Sequence, residues 1–388
     1  MSKLILPELE FWESMYWPEG VPRYMELAYR PLYETLVAQW AEQDPHRPAL
    51  VAGGEVVSFG ELDDRARRVA QEIAADGGRP VRISAKGIYR VISYLAATGF
   101  DRPMLLDDGE RLPGTSLDDA AVESMLAKNG ATRRDYATSL DDPLFIRLAR
   151  PQDSIGTAVS KKGYEANILS FNAFMGLGRT GLLVYPASKL NDTFHVFAAL
   201  ARGSPVVLAD EPADLSAALD LEGSYYMYTD ETGIGLLNDA PNAIKALKDR
   251  LGWAMPYGGT ARCPGLGRGV GMPLLEAYEL PELGVLLSNH PSWPIPHSMG
   301  LPITNVEARL LKQSKLIKSW SEVALEAGQV RELAVAGEFL EGMSCDEAGK
   351  GHIVTVRRLS EGKNRWLATG DLAEMDENGI FYPRPATP

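Results

Sequence analysis

Short apolar runs alternate with amphipathic stretches from about residue 48 to residue 302. "PALVAGGEVVSF" predicts a hairpin of two short strands. Ser58 and Glu61 then precede an apolar stripe at the spacing of a capping box, in which the serine accepts from the first helical amides and the glutamate reaches back. Leu62, Ala66, Val69, Ala70 and Ile73 follow at helical spacing and predict a helix ending at Gly77 and Gly78. "VRISA" predicts a strand, "YRVISYLAATG" a helix stopped by Gly99, and "PMLLD" another strand. "GLLVYPA", "DTFHVFAALARG", "SPVVLAD", "DLSAALDLEG" and "SYYMYTD" repeat the rhythm. Such alternation predicts parallel strands with helices packed on both faces.

From about residue 305 the period changes. "VEARLL", "ELAVAGEFL", "HIVTVRRL", "RWLATGDLA" and "GIFYP" are strand-like runs between turns, and predict a smaller β-rich unit on a large α/β body. "DDGERLPGTSLDD" and "CPGLGRGVGMP" read as mobile surface connections.

Composition narrows the function classes. The chain has 388 residues and a net charge of −13, which argues against nucleic-acid and membrane-surface binding because both need a basic face. Cys263 and Cys345 lie far apart without metal-ligand spacing, as expected of a reduced, cytoplasmic protein. The N-terminal run carries acidic residues and does not read as a signal peptide, and no apolar stretch is long enough to span a bilayer.

Candidate chemistry begins at "PQDSIGTAVSKKGYEAN", residues 151–167. It follows the candidate strand "PLFIRLA" and precedes an apolar helical pattern from Ile168. A strand, a loop of small and hydroxyl residues, and a lysine are what a phosphate site requires: backbone amides and hydroxyls donate to the oxygens, and an ammonium offsets their charge. The spacing is not that of a Walker A loop, and on these residues alone an exposed polar turn is the favoured reading. "GLGRGVG" fails the dinucleotide fingerprint at Val270, His290 and His297 lack a third ligand at metal spacing, and no Gly-x-Ser-x-Gly elbow occurs.

"WLATGDLAEMDENGIFY", residues 366–382, resembles a signature of the ANL superfamily of acyl-CoA synthetases, peptide-synthetase adenylation domains and luciferases. "RPALVAGGEVVSFGELDDRARRVA", "GGTA", "GLPITNVEARLL" and "RELAVAGEFLEGM" resemble further blocks of that family in the same order, with Arg331 where glycine is usual. In this register residues 154–163 look like the family's phosphate loop. Ser154, Gly156, Thr157, Lys162 and Gly163 match it, whereas Ile155, Ala158, Val159 and Lys161 depart from it. "AYELPELG" resembles Tyr-Gly-x-Thr-Glu, with Glu279 in place of glycine and Pro281 in place of threonine.

The resemblance implies a large ANL-type α/β domain. Residues 1–300 would form paired α/β subdomains carrying the phosphate loop and acyl pocket, and residues 301–388 a β-rich subdomain ending at the family hinge, without the mobile C-terminal domain. It implies ATP and Mg²⁺ as cofactors. Lys162 and Thr157 would act in catalysis; Ser154, Gly156, Thr157, Lys162, Gly163, Gly258, Gly259, Thr260, Tyr278, Asp371 and Arg384 would bind nucleotide. Tyr278 would stack on adenine, Asp371 would grip the ribose, and Glu282 would sit by the metal. Gly258 and Gly259 would line the acyl site. His195, by its helix position a partly buried histidine, would touch substrate there.

The implied activity is adenylation of a small aromatic carboxylic acid. The chain also resembles atypical ANL proteins of phenazine-antibiotic biosynthesis, which implies a phenazine acid. The acyl group would pass to a partner enzyme such as a reductase, with a homodimer as the assembly to test. The competing expectation is a catalytically retired fold that binds an aromatic acid or a partner protein, supported by Pro281 and by the hydroxyls lost at Ile155 and Ala158.

Overall fold

The computed structural model describes residues 17–75, 79–99, 102–106, 114–128, 139–148, 156–190, 192–216, 221, 223–238, 245, 247, 249–257, 272–312, 315–316, 329–341, 355–357, 366–376 and 378–384. Two largely parallel sheets form its frame, as the strand-helix alternation predicts. In one, the spatial order is Leu251–Pro256, Tyr225–Thr229, Gly181–Tyr185, Val206–Leu208, Pro48–Ala52 and Glu55–Ser58. All its pairings are parallel except the last, the predicted hairpin, where Val51 faces Val56. In the other, Thr115–Leu117, Val81–Ile83, Met104–Leu106 and Pro143–Leu148 run parallel, and Gly156–Ser160 closes the edge antiparallel.

The β-rich part is antiparallel. Ala277–Leu280, Gly284–Ser288 and Leu301–Pro302 form a three-stranded sheet. Lys315–Leu316, Val306–Lys312, Arg331–Gly337, Trp366–Met375 and Thr355–Arg357 form a second, with Phe381–Arg384 also paired to Trp366–Met375.

Local chemistry explains most helix starts. Ser58 Oγ accepts from the Glu61 amide while the Glu61 carboxylate accepts from the Ser58 amide, so the predicted capping box opens the helix Phe59–Ala74. Its stripe of Leu62, Ala66, Val69, Ala70 and Ile73 is buried. The helices Gly87–Thr98 and Thr193–Ala201 also fall where their apolar spacing places them. One expectation is corrected. The stretch 107–119 is not a connection throughout: Thr115–Leu117 pairs in parallel with Val81–Ile83, buries Leu117, and leads into the helix Asp119–Ala127, capped by the Asp118 carboxylate. In "DLSAALDLEG" the described part is a 3-10 turn, Asp214–Ser216; residues 217–220 and 222 lie outside the described residues.

One apolar core runs through both frame sheets and the β-rich part, taking in Leu62, Ile92, Phe171, Leu182, Val285, Val335 and Phe381. Each such side chain contributes about 1.5–3 kcal/mol by leaving water. Two buried ion pairs tie distant segments across it. The Arg90 guanidinium donates to Asp192 at 2.6 Å and to the Ala187 carbonyl at 2.8 Å. Arg23 donates to the Ile303 and Val306 carbonyls and to Glu307, fastening the N-terminal segment to the start of the β-rich sheet. Among the described residues no helix is long and apolar enough to cross a membrane.

Candidate functional site

The segment 151–167 combines two elements where the sequence suggested a loop followed by a helix from Ile168. Residues 151–155, including Ser154, lie outside the described residues. Gly156–Ser160 is a strand in register with Pro143–Leu148, setting Thr157 opposite Arg147 and Gly156 opposite Leu148. The helix then starts early, at Lys161, because Ser160 Oγ accepts from the Gly163 amide and satisfies one of its orphan donors. The same hydroxyl donates to the Glu341 carbonyl, at the end of the β-rich strand's following turn.

The two lysines diverge. Lys161 is buried, with its ammonium 3.9 Å from Asp142 Oδ2. Lys162 is partly exposed, reaches Glu341 at 2.5 Å, and lies 5.1 Å above the Tyr29 ring. The hydrogen bond to Glu341 raises its pKa, so it is a cation at any physiological pH. Gly163 serves packing: a Cβ there would lie 2.5 Å from the Phe339 carbonyl oxygen. The helix therefore seats directly on the turn Glu338–Leu340.

Glu282 faces the same strands. It is buried, and its carboxylate accepts from Arg147 Nη1 at 2.7 Å. The side chain of Glu282 is 2 % exposed and that of Arg147 34 %, so the arginine runs from the interior towards the surface. A hard divalent ion needs about six oxygens at roughly 2.0–2.1 Å if it is magnesium. Among the described residues no group of three or more His, Cys, Asp or Glu gathers to supply them. Magnesium commonly takes one or two carboxylates and completes its shell with phosphate oxygens and water, so Glu282 would hold it as a single ligand beside ATP, in competition with Arg147.

The residues expected at adenine and ribose come together. Tyr278, on Ala277–Leu280, donates its hydroxyl to Asp371 Oδ2 at 2.6 Å. Burial, with the Asp371 charge next, pushes the Tyr278 pKa well up and keeps its proton on this bond. Asp371 is exposed on a bulge of Trp366–Met375: Glu332 pairs with Leu372 and Ala334 with Ala368, which leaves Thr369, Gly370 and Asp371 looped out. Gly370 adopts φ +82°, a left-handed conformation suited to glycine, and Thr369 Oγ1 donates to the Leu333 carbonyl. Arg384 is turned to Glu374 at 2.6 Å. Gly258, Gly259 and Thr260 lie outside the described residues, directly after Tyr257.

His195 is fully buried, more than its helix position suggested. Its ring lies 3.9 Å from the Tyr228 ring and is edged by Phe171, Phe194 and Tyr226. Its Nε2 is 3.5 Å from Glu279 Oε2, and the Tyr228 hydroxyl donates to Glu279 Oε1 at 2.8 Å. Burial, then the Glu279 charge, raises the Tyr228 pKa well above the ordinary phenol range. Glu279 thus borders a buried aromatic cluster at the position where the family pattern has glycine.

Sequence reasoning missed Arg147, Glu341 and the Tyr228–Glu279 bond. A charged residue inside the apolar run "PLFIRLA" was a usable signal for Arg147, and the carboxylate at a glycine position was one for Glu279. Glu341 had none, since nothing in "GEFLEGM" points back to residue 162.

No family model matches the chain. Among curated proteins, the long-chain-fatty-acid–CoA ligases of Escherichia coli O157:H7 and O6:H1 are each 27% identical over 256 residues, covering 58% of this chain. The chain spans about 40% of the length of these relatives. Among solved structures, o-succinylbenzoate CoA synthetase (MenE) from Bacillus subtilis, bound with its product analogue OSB-NCoA, matches with a TM-score of 0.69 at 17% identity. That match covers 92% of this chain and 79% of the synthetase chain. The same synthetase in complex with ATP and magnesium gives 0.69 at 16% identity, covering 91% and 79%. The amide bond synthetase McbA from Marinactinospora thermotolerans gives 0.68 at 18%, covering 91% and 78%. Over nine-tenths of its length the chain therefore shares the fold of these synthetases.

Proposed function

We propose that the chain activates an aromatic carboxylic acid with ATP. A carboxylate oxygen attacks the α-phosphorus, the bond to the bridging oxygen breaks, and pyrophosphate leaves, giving an acyl-adenylate. Residues 1–300 would supply the phosphate strand and the acyl site in this reading, and residues 301–388 the ribose carboxylate. The observation that carries it is the Tyr278–Asp371 hydrogen bond, which joins an adenine platform and a ribose acceptor 93 residues apart on a fold shared with ATP-bound MenE. Lys162, in the first turn of the helix, and Thr157, on the strand before it, would donate to phosphate. By the family resemblance Gly258, Gly259, Thr260 and Ser154 would add nucleotide and acyl contacts, and Arg384 a nucleotide contact.

The buried aromatic cluster around His195 supports a flat ring as the acyl part. Sequence resemblance supports the finer reading of a phenazine acid whose acyl group passes to a partner enzyme, in the cytoplasm. Mg²⁺ enters this proposal as the companion of ATP in solution, and no step is assigned to an ion seated on Glu282.

Carboxylate-dependent exchange of labelled pyrophosphate into ATP, over a panel of benzoic, bicyclic and phenazine acids, tests the proposal. Exchange above background with at least one aromatic acid is expected; none with any acid removes it. A second reading, a retired fold that binds the acid without chemistry, draws on the pairing of Lys162 with Glu341 and of Arg147 with Glu282. It predicts a thermal shift by the acid and none by ATP.

A further inference from the structure

We infer that Glu279 is a specificity-determining residue of the acyl site, and that the acid it admits carries a hydrogen-bond donor, an N–H or O–H, on the ring away from the reacting carboxylate. The inference rests on the aromatic-acid reading above and names a narrower substrate class within it.

Glu279 has more acceptor capacity than the protein uses. A carboxylate offers about four lone-pair sites. The Tyr228 hydroxyl fills one, donating to Oε1 at 2.8 Å. Oε2 lies 3.5 Å from His195 Nε2, yet neither nitrogen of that fully buried ring makes a hydrogen bond. Among the described residues no lysine or arginine pairs with Glu279. Its side chain is only 15 % exposed, and a carboxylate so far out of water is ordinarily matched by a cation or by several donors. Leaving a buried acceptor short of donors costs about 1–3 kcal/mol. A glutamate kept only to hold Tyr228 would leave that shortfall standing; a ligand donor on Oε2 removes it.

The place of Glu279 on the fold supports an acyl role. Tyr278 and Glu279 are consecutive on Ala277–Leu280, and consecutive strand side chains point to opposite faces. Tyr278 reaches Asp371, the proposed ribose carboxylate, while Glu279 reaches Tyr228 and approaches His195. The two partners that an acyl-adenylate joins thus meet neighbouring residues of one strand. Around Glu279 the cluster is otherwise aromatic: Phe171, Phe194 and Tyr226 edge His195, and Tyr257 lies edge-on to Tyr228. Against such walls one carboxylate dominates selection. It attracts a donor, and it repels a second carboxylate where little water screens the charge.

Naphthoic acids substituted on the ring that does not bear the acid, with amino, hydroxyl, methyl or carboxylate at matched positions, test this. Calorimetric titration without ATP reads binding, and pyrophosphate exchange with the same acids reads activity. Where an acid binds only with nucleotide, the ratio of exchange kcat/KM values reads the same ranking. At the best position, wild-type protein should bind the amino or hydroxyl acid at least about ten-fold more tightly than the methyl acid, which is similar in size and has no donor. The dicarboxylic acid should bind more weakly than the methyl acid. Glu279→Gln keeps an acceptor for Tyr228 and loses the charge. In that variant the preference for donor over methyl should fall to about three-fold or less, and the dicarboxylic acid should gain about ten-fold.

Equal affinities for donor and methyl acids in wild-type protein at every position overturn the inference, as does a preference that survives Glu279→Gln. Exchange with aromatic acids irrespective of substituent overturns it too, while leaving the proposed activity standing. A donor preference in binding without exchange by any acid keeps the role of Glu279 and removes the activity. If no acid binds and none supports exchange, both fall. Should Glu279→Gln not fold, the wild-type ranking decides alone.

Discussion

The hydroxyl of Tyr278 donates to the carboxylate of Asp371 across the boundary between two antiparallel sheets, at 2.6 Å. An exposed aspartate on a bulge would otherwise sample several rotamers; this bond and the Gly370 turn hold it in one. If it accepts from ribose hydroxyls, Asp371→Asn removes charge-assisted bonds worth about 1.5–3 kcal/mol, roughly a ten- to hundred-fold loss in ATP affinity. Tyr278→Phe, which loosens Asp371 but keeps the ring, is expected to cost about ten-fold or less. Titration calorimetry measures both, and an Asp371→Asn protein with undiminished affinity removes the residue from the site.

Lys161 and Lys162 are adjacent, yet their substitutions should act on different quantities. Lys162 makes a partly exposed pair, so Lys162→Ala is expected to change stability by no more than about 1 kcal/mol. Its loss as a phosphate donor should lower exchange by roughly 10²–10³. Lys161→Ala removes a buried ammonium beside Asp142 and should reduce stability instead, by about 3 kcal/mol or more. Urea denaturation with the exchange assay separates the two effects; a Lys162→Ala protein exchanging at the wild-type rate contradicts the assignment.

Gly163 lies under the turn Glu338–Leu340, with no room for a methyl group. In Gly163→Ala the new carbon meets the Phe339 carbonyl oxygen at 2.5 Å and the Glu341 carbonyl oxygen at 3.1 Å, and both are backbone atoms that cannot rotate away. A loss of about 1–3 kcal/mol in urea denaturation is expected, as for other overpacked sites. Wild-type stability in this variant would mean that the helix does not seat on the β-rich turn.

Glu165 is fully buried one helical step from Lys162, and accepts from the Thr35 hydroxyl. Burial raises its pKa from the usual 4.5 to about 7, against the lowering effect of that hydrogen bond. Between these values the folded protein holds a proton that the unfolded chain has released, so stability falls as pH rises through that window. The full loss, about 3 kcal/mol, is reached above the folded value. Glu165→Gln cannot ionise and should flatten that slope in melting experiments between pH 5 and 8; an unaltered slope would place the titration elsewhere.

Much of the frame was legible because its signals are local. The Ser58–Glu61 box, the 3.6-residue stripe after it and the short apolar strands each depend on neighbours within one or two turns, and each formed as spaced. Thr115–Leu117 was not legible, since three residues of which one is apolar become a strand only by finding the edge at Val81–Ile83. The early start of the helix at Lys161 was likewise hidden behind two lysines and a glycine, which carry no apolar stripe; its cap is Ser160, and its seat is a turn 175 or more residues away.

The sequence by itself determined the alternation of strands and helices, the β-rich end, and the residue types available to meet a nucleotide, because periodicity and turn chemistry act over short range. Tertiary structure alone decided which charges face each other: Arg147 with Glu282, Lys162 with Glu341, and His195 beside Glu279. Electrostatic energy depends on distance in space and on exclusion of water, and the chain sets both only by folding residues from distant segments against one another.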